Sequence, residues 1–129
     1  MKKEIIVCCV ILLFIIVFHV ITQTTSQNYF DGIIKELDEI EEKIFSKNSE
    51  KEELVKDIDS ILEKWRANYG YYACFIEHDE LEKVQTQLIS MRANIKTGDL
   101  KKCMDESEKC KFILKHIEDK DAMKIVNIF

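Results

Sequence analysis

Residues Ile5–Ile21, IIVCCVILLFIIVFHVI, form an unbroken apolar run in which His19 is the one polar side chain. As a helix the run spans about 25 Å, against a hydrocarbon core of roughly 30 Å. Thr22, Thr24 and Thr25 can lengthen it at tolerable cost. The run predicts a transmembrane signal anchor over residues 5–22. The rival reading is a cleaved secretory signal with Lys2 and Lys3 as its basic leader. Signal cores run about 7–15 residues and end at a small-residue cleavage site. No Ala or Gly occurs between Met1 and Asp31, which favours the anchor.

The lysines set an expected orientation. Lys2 and Lys3 flank the front of the run, and the first basic residue behind it is Lys35. The positive-inside bias then keeps residues 1–4 cytoplasmic and sends residues 23–129 out of the cytoplasm. The expected location is a cell membrane crossed once, with lipid around residues 5–22.

Behind the anchor, about a hundred residues allow one small domain. The chain has no Pro and only three Gly, which suits long helices, and its net charge is −5 at pH 7. Acidic and basic residues are interspersed, as on solvated helix faces. There is no basic stripe for phosphates, so a nucleic-acid partner is not expected. Cys74, Cys103 and Cys110 are an odd set for a disulfide framework. Cys103 and Cys110 lie seven apart on one helix face, roughly 10 Å, too far for a bridge. They read as small core side chains, and Cys74 could reach one of them across helices.

Four amphipathic segments follow the anchor's apolar run. Phe30, Ile33, Leu37, Ile40 and Ile44 recur at spacings of three and four within Asn28–Ser46, which continues from the anchor with little break. Lys47-Asn48-Ser49 is the first turn, with Ser49 and Glu52 as a capping box. A second helix is predicted from about Glu50 to Ile76, its seam running through Leu54, Ile58, Ile61, Trp65, Tyr72 and Phe75. Gly70 should weaken it. A third, carrying Leu81, Val84, Leu88, Met91 and Ile95, is predicted from about Glu80 to Lys96. In Thr97-Gly98-Asp99, Gly98 suits a C-terminal cap and Asp99 the next N-cap. The fourth helix carries Leu100, Cys103, Met104, Cys110, Ile113, Leu114 and Ile117, and an apolar tail follows from Met123 to Phe129. Short loops make neighbours antiparallel. The fold expectation is all-α: an N-terminal transmembrane helix followed by an antiparallel bundle of about four helices. A coiled-coil rod dimerising through residues 30–76 is the competing architecture.

The chain lacks G-x-x-x-x-G-K-[ST], G-x-S-x-G, H-E-x-x-H and C-x-x-C. No catalysis and no cofactor are therefore expected. Two sets of residues stand out. An antiparallel hairpin turning at residue 48 brings Trp65, Tyr69, Tyr71 and Tyr72 towards the membrane interface, where amphipathic rings are favoured. A hairpin turning at residue 98 puts His116 level with Leu81, one turn from His78. Glu77, Asp79, Glu80, Glu82, Glu118 and Asp119 crowd the same end, which predicts one His/carboxylate cluster able to act as a proton-responsive latch or a weak metal site.

Trp65, the string Phe75-Ile76-Glu77-His78-Asp79-Glu80-Leu81-Glu82, Ala93-Asn94-Ile95 ahead of Gly98, the string Phe112 to Lys120, and the ending Asn127-Ile128-Phe129 also carry a resemblance. The chain resembles the family of small, singly anchored bacterial membrane proteins known as domain of unknown function 4363. That resemblance implies a bacterial cell-envelope protein and implies no activity. The functional expectation is a membrane-anchored interaction module, an accessory subunit to another membrane protein. The alternative is an envelope sensor of pH or divalent metal.

Overall fold

The structure, a computed structural model, describes residues 1–128, with side chains through residue 120. It contains four helices: α1 (Lys2–Ser46), α2 (Lys51–Tyr72), α3 (His78–Thr97) and α4 (Leu100–Ile128). The apolar run and the first amphipathic segment are one continuous helix. With no Pro and a single Gly between residues 2 and 46, nothing in the backbone interrupts it. Its first part is long and apolar enough to cross a membrane, and none of that window is buried within the structure.

The bundle begins a turn after the apolar run. Ser26, Phe30, Ile33, Leu37 and Ile40 are buried on α1, and Cys103, Ser107, Cys110, Leu114 and Ile117 on α4. Both sets alternate spacings of four and three, the seam of a heptad. Leu54, Ile58, Ile61 and Trp65 on α2 and Leu81, Val84, Leu88, Met91 and Ile95 on α3 complete the core. Each helix packs on its two chain or ring neighbours: α1 on α2 and α4, and α3 on α2 and α4. Among the described residues the diagonal pairs do not meet, so the helices form a square, antiparallel ring. The helices behind the apolar run thus form an intramolecular bundle.

Helix ends differ from the sequence expectation in three places. Glu50, not Ser49, is the N-cap of α2, and no side chain bonds there. Ser49 therefore lies outside the helix and cannot serve a capping box. The α2 helix stops at Tyr72, and residues 73–76 turn tightly, with Phe75 and Ile76 N–H groups both donating to the Tyr72 carbonyl at 3.0 and 2.9 Å. Extended backbone at Glu77 then lets α3 start at His78, two residues earlier than expected. The α3–α4 turn is as predicted. Gly98 is left-handed (φ 81°), Asp99 N–H donates to Asn94 O at 2.9 Å, and Asp99 Oδ1 accepts from Lys102 N–H at 3.2 Å. That pairing is a Schellman cap joined to an N-cap. Residues 123–128 of the expected apolar tail continue α4, and Phe129 and the side chains of the tail lie outside the described residues.

Candidate functional site

The antiparallel register brings four kinds of group to one end of the bundle, the end nearest the apolar half of α1. They are the C-terminal turn of α2, the α2–α3 corner, the start of α3 and the last described side chains of α4. The opposite end holds the turns at residues 47–50 and 98–99.

The two histidines share this end but not one cluster. His78 Nε2 lies 3.0 Å from Glu82 Oε1, and the Tyr69 hydroxyl is 3.1 Å from His78 Nδ1. The Tyr69 and His78 rings meet edge to face at 5.7 Å. His116 instead pairs with Glu80 at 3.5 Å, and Lys120 Nζ bridges Glu77 at 2.7 Å and Glu80 at 3.5 Å. His78 and Glu80 are two residues apart, hence about 200° around α3. One faces α2 and the other α4. This corrects the expectation of a single cluster: the helix divides His78, His116, Glu77, Glu80 and Glu82 between two faces. Asp119 is exposed on α4. Among the described residues no group of three or more His, Cys, Asp or Glu side chains is placed to hold a metal.

The aromatic set divides as well. Trp65 and Tyr72 are core residues, 1% and 4% exposed. Tyr29 stacks on Tyr72 at 4.8 Å, Phe30 lies 6.3 Å from Trp65, and the Tyr29 hydroxyl donates to the Lys64 carbonyl at 3.0 Å. Desolvation raises the pKa of Tyr29. Trp65 and Tyr72 therefore join α1 to α2 and are screened from any lipid. Tyr69 is half-buried against His78, while Tyr71 is exposed beside Phe75.

A third group at this end pairs Glu118, one of the carboxylates expected here, with Asp31 of α1, a pairing that the sequence does not predict. Glu118 is buried on α4 at 9% exposure. Its carboxyl is within hydrogen-bonding reach of the Asp31 carboxyl of α1. Lys115 Nζ donates to Asp31 Oδ1 at 3.2 Å and to Glu118 Oε2 at 3.3 Å, while Glu118 Oε1 is buried without a donor. Burial, then the Asp31 carboxyl, pushes the Glu118 pKa up to about 7. The bond from Glu118 holds Asp31 below its ordinary value. Two carboxyls this close share one proton more readily than they carry two charges. A signal existed: Glu118 follows Leu114 by four residues on the buried stripe of α4, where an apolar residue is expected.

The three cysteines outside the apolar run remain thiols. Cys103 and Cys110 are fully buried, and burial pushes their pKa values up to about 11 and about 12. They are inert core residues. Cys74 is exposed in the α2–α3 corner and donates to the Gly70 carbonyl at 3.5 Å.

These features define a class: an up-down-up-down helical bundle whose first helix runs on as a long, bare apolar rod. The chain belongs to the family described as domain of unknown function (DUF4363), whose family model matches residues 20–128. The match begins at Val20, so it falls on the bundle and not on most of the apolar run. No curated protein and no solved structure matches the chain.

Proposed function

We propose that this protein is a membrane-anchored helical interaction module, an accessory subunit to another membrane protein of the bacterial cell envelope, with its bundle outside the cytoplasm. The observation that carries the reading is the continuity of α1. None of the residues in its apolar window is buried by the rest of the chain, and its other half is one wall of the bundle. An anchor built into the folded domain transmits position and tilt directly, which suits a module that meets a membrane partner at a fixed height. Lys2 and Lys3 at the head of α1 support the outward orientation. The charged groups at the site pair across helices instead of converging on one point, which supports a role in interaction over one in catalysis.

Crosslinking of the full-length protein in native membranes tests the partner. A defined heteromeric adduct is expected, and recovery of monomer alone rejects the accessory role. Orientation is tested by Lys101→Cys with Cys74 replaced. Cys103 and Cys110 can stay, because both are buried. A membrane-impermeant maleimide should label residue 101 in intact cells, and labelling only after lysis rejects the outward bundle.

A second reading, a proton-responsive element, is favoured by the Asp31–Lys115–Glu118 group. It ties the anchor helix to α4 and contains a carboxyl poised near neutrality. Infrared difference spectra test it. A protonated-carboxyl band should vanish as pH rises through about 7 and be missing in Glu118→Gln. A band unchanged between the two proteins rejects the reading.

A further inference from the structure

We infer that Tyr71 and Phe75, at the α2–α3 corner, form a lipid-contacting foot that rests the bundle on the headgroup layer of the membrane that α1 crosses. The inference rests on the anchored reading above and adds to it a second point of membrane contact.

Register supplies the height. Lys43 pairs with Glu53 and Asp57, Glu36 with Lys64, and Tyr29 and Phe30 with Tyr72. Continuing that antiparallel pairing brings residues 73–77 level with about residues 23–27 of α1, within about two helical turns of Ile21. Tyr71 then stands about 12 Å beyond the end of the apolar run, and Phe75 about 6 Å. The headgroup layer on each side of a bilayer is roughly 5–8 Å thick. Phe75 falls inside it, and the Tyr71 ring, 5.2 Å away, borders it from above.

Chemistry supplies the occupant. Tyr71 is 47% exposed and Phe75 41%, with ring centroids 5.2 Å apart. They sit in Ala67–Ile76, the longest stretch without a charged residue after Asp31. A surface kept free of charge, carrying paired rings and continuous with a bare apolar helix, matches the boundary between acyl chains and headgroups. Among the described residues behind the apolar run, the other exposed rings do not share the position. Phe112 is level with about residue 37, some 24 Å above the end of the apolar run, and Phe45 is higher still. Neither can reach the bilayer while α1 stands upright.

The test uses full-length protein in phosphatidylcholine vesicles whose acyl chains are brominated close to the glycerol. Phe75→Trp and Phe112→Trp are each compared with the parent, so that buried Trp65 contributes a constant background. Both positions are exposed, so neither change touches the core. Flotation comes first: protein that does not float with the vesicles defeats the anchored reading itself. With floating protein, the added emission at residue 75 should be strongly quenched by brominated lipid and that at residue 112 should not. Unquenched emission at residue 75 overturns the foot. Equal quenching at both positions also overturns it, because the bundle would then lie flat on the surface.

Discussion

The two halves of α1 carry one backbone through two different surroundings. From Ile5 to Ile21 the large side chains point outward all round the helix and none is buried. From Ser26 to Ile40 the buried residues follow one stripe, and Asp31, Glu36, Asp38 and Glu41 on the other faces pair with lysines of α2 and α4. A helix that is apolar all round needs an apolar solvent, while a striped one needs a partner. The comparison teaches that continuity of a helix does not imply a single role. What changes at residue 22 is the side-chain pattern, and the backbone does not register it.

The largest effects should separate the halves. Leu37→Ala removes a fully buried side chain from the striped half. It should cost the bundle about 2–5 kcal/mol and leave membrane partitioning unchanged. Leu13→Arg, in the bare half, should disfavour insertion by about 3 kcal/mol and leave the melting of the bundle unchanged. Thermal unfolding and membrane fractionation of the two variants give the readout. A loss of both properties in either variant would break the comparison.

A smaller effect lies where the halves meet. The Glu118 pKa is raised to about 7 in the folded state, so the folded bundle favours the protonated form. Its stabilising contribution is full below the ordinary Glu value and is lost as pH rises through about 7. Asp31 is lowered, so its contribution is present above the ordinary Asp value and lost as pH falls through the folded one. The neighbouring charges are Asp31 from α1, Lys115 on α4 itself, and Glu77 ahead of α3 with Glu80 on it, which engage Lys120 and His116 on the adjacent face of α4. The bundle should therefore be more stable near pH 5.5 than near pH 8, by on the order of 1–3 kcal/mol. Glu118→Gln should flatten that difference. Denaturant melts at the two pH values check it, and an undiminished pH dependence in the variant would assign it to other groups.

Much of this architecture could be read from residue spacing. The alternation of three and four marked the stripes of all four helices, and Gly98 with Asp99 marked the turn between α3 and α4. The exit from α2 could not be read, because Tyr69–Ile76 continues the apolar seam while its backbone turns at Tyr72. Height along α2 brings Trp65 and Tyr72 near the membrane interface but does not say whether they face it or the core. The width of the α1–α2 gap, filled by Tyr29 and Phe30, decides their burial. The Asp31–Glu118 pair was the hardest to foresee. Hairpin registers follow from the turns that join consecutive helices, but no turn joins α1 to α4. Their register emerges only when all four helices are packed.

The smallest effect bears on the continuity of α1. Gly32 lies in the striped half, a turn and a half beyond Ser26, on an exposed face. A Cβ built there meets nothing within 4 Å, and the backbone is helical. Gly in a helix interior costs roughly 0.5–1 kcal/mol relative to Ala, through the entropy of the unfolded chain. Gly32→Ala should therefore stabilise the bundle by that amount and raise its melting temperature by about 2–8 °C. Gly98 gives the contrast. Its surroundings are equally open, but its φ of 81° is one that an L side chain rarely adopts. Gly98→Ala should destabilise by about 1 kcal/mol. The pair separates backbone conformation from packing, since neither methyl touches a neighbour. Amide exchange then localises the gain. If α1 acts as one rod, Gly32→Ala should slow exchange on both sides of residue 26. Slowing confined to residues 30–40 would mean that the two halves of the helix open independently, and that the bundle is hinged to its anchor.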